Sequence, residues 1–272
     1  MMKIRLILPV CNSPQNGYCN DAWNISTRIH ILNQAISYKN SDDDLSPNII
    51  ITSHNFFDIS NNNCNNQLDI ETIIQSLEDT LSRHIVIKKP LIIGFDITRG
   101  SNLNHYGGID AVVCFLIVHQ EKYKCHRYIW ECWKAKNRCN VVKCFDRQNR
   151  YFNFNNFTFG LLSCGDMYAY CNKRKNRSYL QNVNIYVDLA HMSLPLSYTI
   201  KSIQKNLIHY AQYVIITQQL KSNQFNTYFN SNGTYKLFFS SNNAIVGNQN
   251  TIRIQQAIGN AIFYIYLVDI TI

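Results

Sequence analysis

The stretch Phe157-Thr-Phe-Gly-Leu-Leu-Ser-Cys-Gly-Asp-Met-Tyr168 decides how this chain is read. Phe157–Ser163 has the length and apolar content of a buried strand, and it runs straight into Cys164 and Gly165. A cysteine followed by glycine at a sharp strand-to-helix turn has backbone N–H groups that can aim at an incoming carbonyl oxygen. That is the setting of a nucleophile. The ordinary alternative is a buried, inert thiol. That alternative is the expectation for the other nine of the ten cysteines. Cys164 is set apart by its context.

Working outward, apolar strands alternate with helices. Ile4–Val10 reads as a strand, and residues 22–39 follow with Trp23, Ile29, Leu32 and Ile36 at roughly helical spacing. Asn48–Thr52 is a β-branched run after Ser46-Pro47, hence a buried strand. An Asn-rich loop covers 60–67. Asp69 then caps a helix whose Ile70, Ile73, Ile74, Leu77 and Leu81 share one face. Further strands are expected within Ile85–Phe95, a stretch broken by Pro90, at Ala111–His119 and over Arg127–Trp133. Val183–Leu189 and Tyr213–Thr217 are strands flanking a helix over 199–211 with Ile200, Ile203 and Leu207 on one face. The last fifty residues read as short strands between Ser, Asn and Gly turns, ending in Ala261–Ile270. This order supports a mixed, layered α/β domain. No composition shift divides it, so residues 1–272 are expected to form one domain.

Composition excludes several classes. Apolar residues make up 46% of the chain, enough for a sizeable core, so disorder is not expected. The net charge of +9 raises nucleic acid as a partner. However, the only tight basic cluster, Lys173, Arg174, Lys175 and Arg177, has no interleaved aromatics, and a solvated face explains it better. No cysteine pair has C-x-x-C spacing. Cys125, Cys132, Cys139 and Cys144 are spaced too widely for the close pairs zinc sites use, so no metal and no cofactor is expected. Neither a secretory signal nor an apolar run of membrane length is visible, which points to a cytoplasmic chain with free thiols.

The surroundings of Cys164 resemble the nitrilase (carbon–nitrogen hydrolase) superfamily. Gly160, Cys164 and Asp166 fit its nucleophile segment. Arg150-Tyr-Phe152 matches the short hydrophobic strand before it, and Val183–Ser193 the apolar strand after it. Residues 199–217 resemble the next helix and strand, 237–247 a Ser-rich turn and Gly hairpin, and Tyr266-Leu-Val-Asp269 the closing strand. The resemblance implies a four-layer α-β-β-α sandwich. It also implies hydrolysis of a small amide or nitrile by Cys, Lys and Glu, and a homodimer or higher oligomer. Lys134, in Trp130-Glu-Cys-Trp-Lys134, fits the lysine position best, with Lys136 as the fallback. A cation there would stabilise thiolate and oxyanion. Gly165, Asp166, Glu131 and His191 are the expected supporting residues.

The chain departs from that pattern at the glutamate. After Ile49-Ile-Ile-Thr52 comes Ser53-His54-Asn55-Phe56-Phe57, so His54 occupies the position, and the nearest acidic residue is Asp58. A neutral imidazole is a competent base near neutral pH. The expectation is therefore an amidase-like hydrolase with His in place of Glu. Its rival is a pseudoenzyme that keeps the pocket as a binding protein.

Overall fold

The computed structural model describes residues 1–11, 25–39, 46–54, 56–59, 67–97, 111–130, 147–163, 166–167, 177, 179–190, 206–218, 220–221, 229, 234–240, 249–258 and 261–272. In chain order these form β1 (Lys3–Cys11), α1 (Ile25–Ser37), β2 (Ile49–Thr52), β3 (Phe57–Ile59) and α2 (Gln67–His84). Next come β4 (Leu91–Ile97), β5 (Ala111–His119), β6 (Lys122–Trp130), the one-turn α3 (Arg147–Arg150) and β7 (Tyr151–Phe154). The chain continues through β8 (Phe157–Ser163), β9 (Val183–Leu189), a 3-10 turn at Leu207–His209 and β10 (Ala211–Thr217). It closes with β11 (Leu220–Lys221), β12 (Phe238–Ser240), β13 (Gln249–Ile258) and β14 (Ala261–Thr271).

Two sheets result. The first runs β13-β14-β1-β2-β4-β5-β6, with β11 alongside β1 and β3 alongside β4. The second runs β12-β10-β9-β8-β7. The apolar runs explain this order. β1 and β2 pair in parallel, as do β8, β9 and β10, and strands covered on both faces must be apolar at every position. Alternation along β1 shows how the faces are divided. Ile4, Leu6, Leu8 and Val10 point to the core between the sheets, while Ile7 joins the apolar faces of α1 and α2 on the other side. The inter-sheet core is closed by stacked rings: Phe115 on Phe152 at 4.1 Å, and Phe152 on Phe159 at 5.1 Å. The outward residues of the second sheet, Leu162, Tyr186, Val214 and Ile216, are also fully buried, clustered with Met167, Leu180 and Leu207. The class is α/β, with a helical layer against the first sheet and both faces of the second sheet covered.

Several expected elements shift. Asp69 lies inside α2, which starts at Gln67, so it does not cap that helix. The extended segment expected at Arg127–Trp133 begins earlier, at Lys122, because β5 and β6 form a tight hairpin. Gln120 and Glu121 turn it with positive φ, a conformation the sequence does not advertise. The helix expected over 199–211 has given way to strand by Ala211, and residues 200 and 203 lie outside the described set. The C-terminal region holds a hairpin of two long strands rather than short ones, since β13 is an edge strand whose polar alternation imitates turns.

Candidate active site

The C-terminal ends of β2 and β8 meet between the sheets. β2 delivers Thr52 and then Ser53 and His54, all fully buried. Thr52 anchors this end twice: its Oγ1 accepts the Gly94 N–H at 3.2 Å, and its carbonyl accepts the Thr217 hydroxyl at 2.9 Å. The second bond ties the first sheet to the end of β10. The His54 turn then lies directly on β4 at Gly94. A Cβ built there would stand 2.1 Å from the His54 carbonyl oxygen, so only glycine permits this approach. The turn continues into Phe56, whose N–H reaches the Ser53 carbonyl at 3.3 Å and whose own carbonyl accepts from the buried Arg28 of α1.

Held this way, His54 points Nε2 at Ser163 Oγ, 3.1 Å away and 109 positions along the chain. Ser163 ends β8 and immediately precedes Cys164. Its N–H is bound by Asp166 Oδ2 at 3.0 Å, and the same oxygen lies 2.7 Å from Nη1 of Arg150, which also donates to the Leu161 carbonyl at 3.2 Å. Arg150 and Asp166 are essentially without exposure. The end of β8 is therefore held to Asp166, itself fixed by a buried ion pair. Earlier on β8, Gly160 has no side chain because the ring of Tyr186, on the neighbouring β9, fills its place; a Cβ would meet that ring at 2.4 Å.

The ladders bring other strand ends to the same edge. β10 and β9 finish beside β8, with the Ala190 N–H bonded to the Thr217 carbonyl at 2.7 Å. β6 runs antiparallel to β5, β5 antiparallel to β4, and β4 parallel to β2. Trp130 therefore finishes at the edge of the first sheet that carries His54.

Of the expected site residues, His54 and Asp166 are both brought to Ser163. Cys164, Gly165, Glu131, Lys134, Lys136 and His191 lie outside the described residues. Four contributors escaped sequence reading: Ser163, Thr217, Gly94 and Arg150. A glycine inside the apolar run Leu91–Phe95 was the available signal for Gly94, because strand glycines often mark close backbone approach. Elsewhere, burial pushes the Cys114 thiol on β5 well up, the opposite of what a nucleophile needs. Among the described residues no helix is long and apolar enough to cross a membrane.

Neither a family model nor a curated protein sequence matches this chain. Solved structures do resemble it. The C. elegans NitFhit protein superposes with a TM-score of 0.52 at 10% identity, over 97% of this chain and 60% of that one. A carbon–nitrogen hydrolase from Helicobacter pylori G27 gives 0.46 at 10% identity, over 97% and 88%. The glutamine-dependent NAD+ synthetase from Acinetobacter baumannii gives 0.47 at 15% identity, over 80% of this chain. This chain spans 39% of the synthetase and 60% of NitFhit. At such identities the likeness is one of fold, and that fold is nitrilase-like α/β.

Proposed function

We propose that this chain is an amidase-like carbon–nitrogen hydrolase in which Cys164 is the nucleophile, Lys134 steadies the oxyanion and His54 is the general base. The observation that carries this reading is the 3.1 Å contact between His54 and Ser163, the residue before Cys164. The β2 turn that holds a glutamate in the resembled family holds an imidazole here, against the strand that leads to the cysteine.

In the proposed cycle His54 takes the Cys164 thiol proton and the sulfur attacks the amide carbon. The oxyanion is held by Lys134 and a backbone N–H at the turn after β8. The imidazolium then protonates the leaving nitrogen, which departs as ammonia or an amine. Water, deprotonated by His54, cleaves the thioester and restores the thiol. No cofactor or metal is needed. The substrate is a small amide or nitrile, and we assign the chain to the cytoplasm as one catalytic domain in a homo-oligomer. A second reading, a binding protein without turnover, is favoured by one feature: no acidic residue follows β2 before Asp58.

The test is a panel of small amides with Cys164→Ala and His54→Ala variants, alongside intact-mass labelling by a small electrophile. Cys164→Ala should abolish hydrolysis without unfolding the chain. His54→Ala should lower it about 10²–10⁴-fold. Labelling should concentrate on one cysteine of ten. An inert wild type whose His54→Glu variant is also inert, with no cysteine selectively labelled, would replace the enzyme reading by the binding-protein one.

A further inference from the structure

An imidazole acts as a base through one nitrogen at a time. In the neutral ring one nitrogen carries the proton and the other the lone pair, and the partner of the first fixes which is which. His54 Nε2 lies 3.1 Å from Ser163 Oγ, and both side chains are fully buried, so bulk water does not compete for the contact. The contact is set from both ends. Gly94 and Thr52 fix the His54 turn, and Asp166 and Arg150 fix the Ser163 backbone. While it stands, Nε2 is occupied, and proton exchange with a thiol or a leaving nitrogen runs through Nδ1. For Nδ1 to receive a proton it must hold the lone pair, which places the N–H on Nε2.

From this geometry we infer that Ser163 is a positioning residue whose hydroxyl oxygen accepts the Nε2–H of His54, holding the tautomer in which Nδ1 is the base. The inference rests on the role given to His54 above. The Sγ–H bond of Cys164 breaks and an Nδ1–H bond forms, giving a thiolate and an imidazolium. The sulfur electron pair then makes the bond to the carbonyl carbon, and the Nδ1 proton passes to the departing nitrogen. The Nε2 proton stays on the ring throughout, donated to Ser163 Oγ. Oriented in this way, the ring does not have to turn over between the two halves of the reaction.

Long-range 1H–15N NMR on the full chain reads the tautomer directly, at about pH 8, where an ordinary imidazole is neutral. His54 is identified among the eight histidines by the signals lost in His54→Gln. Wild type should show the Nε2–H form alone. Ser163→Ala should populate the Nδ1–H form and lower kcat on an amide roughly tenfold, as expected for one lost hydrogen bond, with KM little changed. Ser163→Thr, which keeps the hydroxyl, should restore both. A wild-type ring in the Nδ1–H form, or doubly protonated, overturns the inference without any variant having to fold. An unchanged tautomer in Ser163→Ala overturns it too. Because the tautomer is read without turnover, a chain in the expected form that hydrolyses no amide counts against the hydrolase reading and leaves the Ser163–His54 assignment standing.

Discussion

Arg5 and Arg150 are equally buried, each keeping 1% of its surface, and each meets a carboxylate, yet they work at different scales. Arg5 uses its whole fork. Nε and Nη2 take the two oxygens of Asp269 at 2.6 and 2.7 Å, and Nη1 takes the Ala35 and Tyr38 carbonyls at the end of α1, both at 2.7 Å. Lys3 adds a second cation at 3.3 Å from Asp269. That cluster joins β1, β14 and α1 across 264 positions. Among the described contacts, Arg150 reaches Asp166 only 16 positions away, and its Nη1 also donates to the Leu161 carbonyl on β8. One pair ties two strands and a helix together, and the other holds the end of β8 beside His54. Burial alone does not tell a structural ion pair from one that shapes a site. Among the described contacts, the number of elements each pair binds together does.

The largest expected effects come from removing each carboxylate. Asp269→Ala and Asp166→Ala leave buried cations without their main partner, and each should cost about 3–5 kcal/mol of stability. Hydrogen exchange distinguishes them. Asp269→Ala should lose protection across β1, β14 and the end of α1, whereas Asp166→Ala should lose it around β7 and β8. Loss over the same residues in both would erase the distinction. A finer test replaces each arginine by lysine. Arg5→Lys gives up a bidentate contact and two carbonyl bonds, and should cost about 1.5–3 kcal/mol in urea unfolding. Arg150→Lys keeps one cationic donor and should cost less than about 1.5 kcal/mol. Equal costs would mean that the fork geometry of Arg5 is unimportant. The smallest effect is a control outside both pairs. Glu121 sits at φ 64° in the β5–β6 turn, so Glu121→Gly should raise stability by about 0.4–1 kcal/mol with both clusters unchanged. A loss of stability there would mean the turn is not strained.

What the sequence disclosed follows from the same physics. Asn48–Thr52, Phe157–Ser163 and Val183–Leu189 were legible because strands buried on both faces are apolar throughout, and each is an interior strand of its sheet. The order of those strands also identified the turn after β2, which is why His54 could be named. Arg150 reads only as the start of a short strand, because its carboxylate partner is a side chain 16 residues on and leaves no periodic trace. The β5–β6 hairpin is only half legible, because Gln120 and Glu121 are poor residues for positive φ. By contrast, Asn155 and Asn156 make the same kind of turn between β7 and β8 with residues that tolerate it. In the sequence Ser163 reads as an ordinary strand residue. Its importance depends on a contact 109 positions away, which no local pattern encodes.

The pairing of β1 with β14 has a consequence for how the chain is made. The two strands match from Lys3 with Thr271 to Val10 with Tyr264, and Met2 and Ile272 bond each other at 2.7 and 3.0 Å. On a ribosome, the first strand is finished long before its antiparallel neighbour exists. At roughly 5–20 residues per second the wait for 264 positions is on the order of 10–50 s. Through that interval an apolar strand from the middle of a nine-stranded sheet presents an open edge, the kind of template on which nascent chains aggregate. Nascent chains arrested before residue 249 should stay open to protease along β1, and released ones should close. Protection before β14 is synthesised would show that another segment covers the strand first.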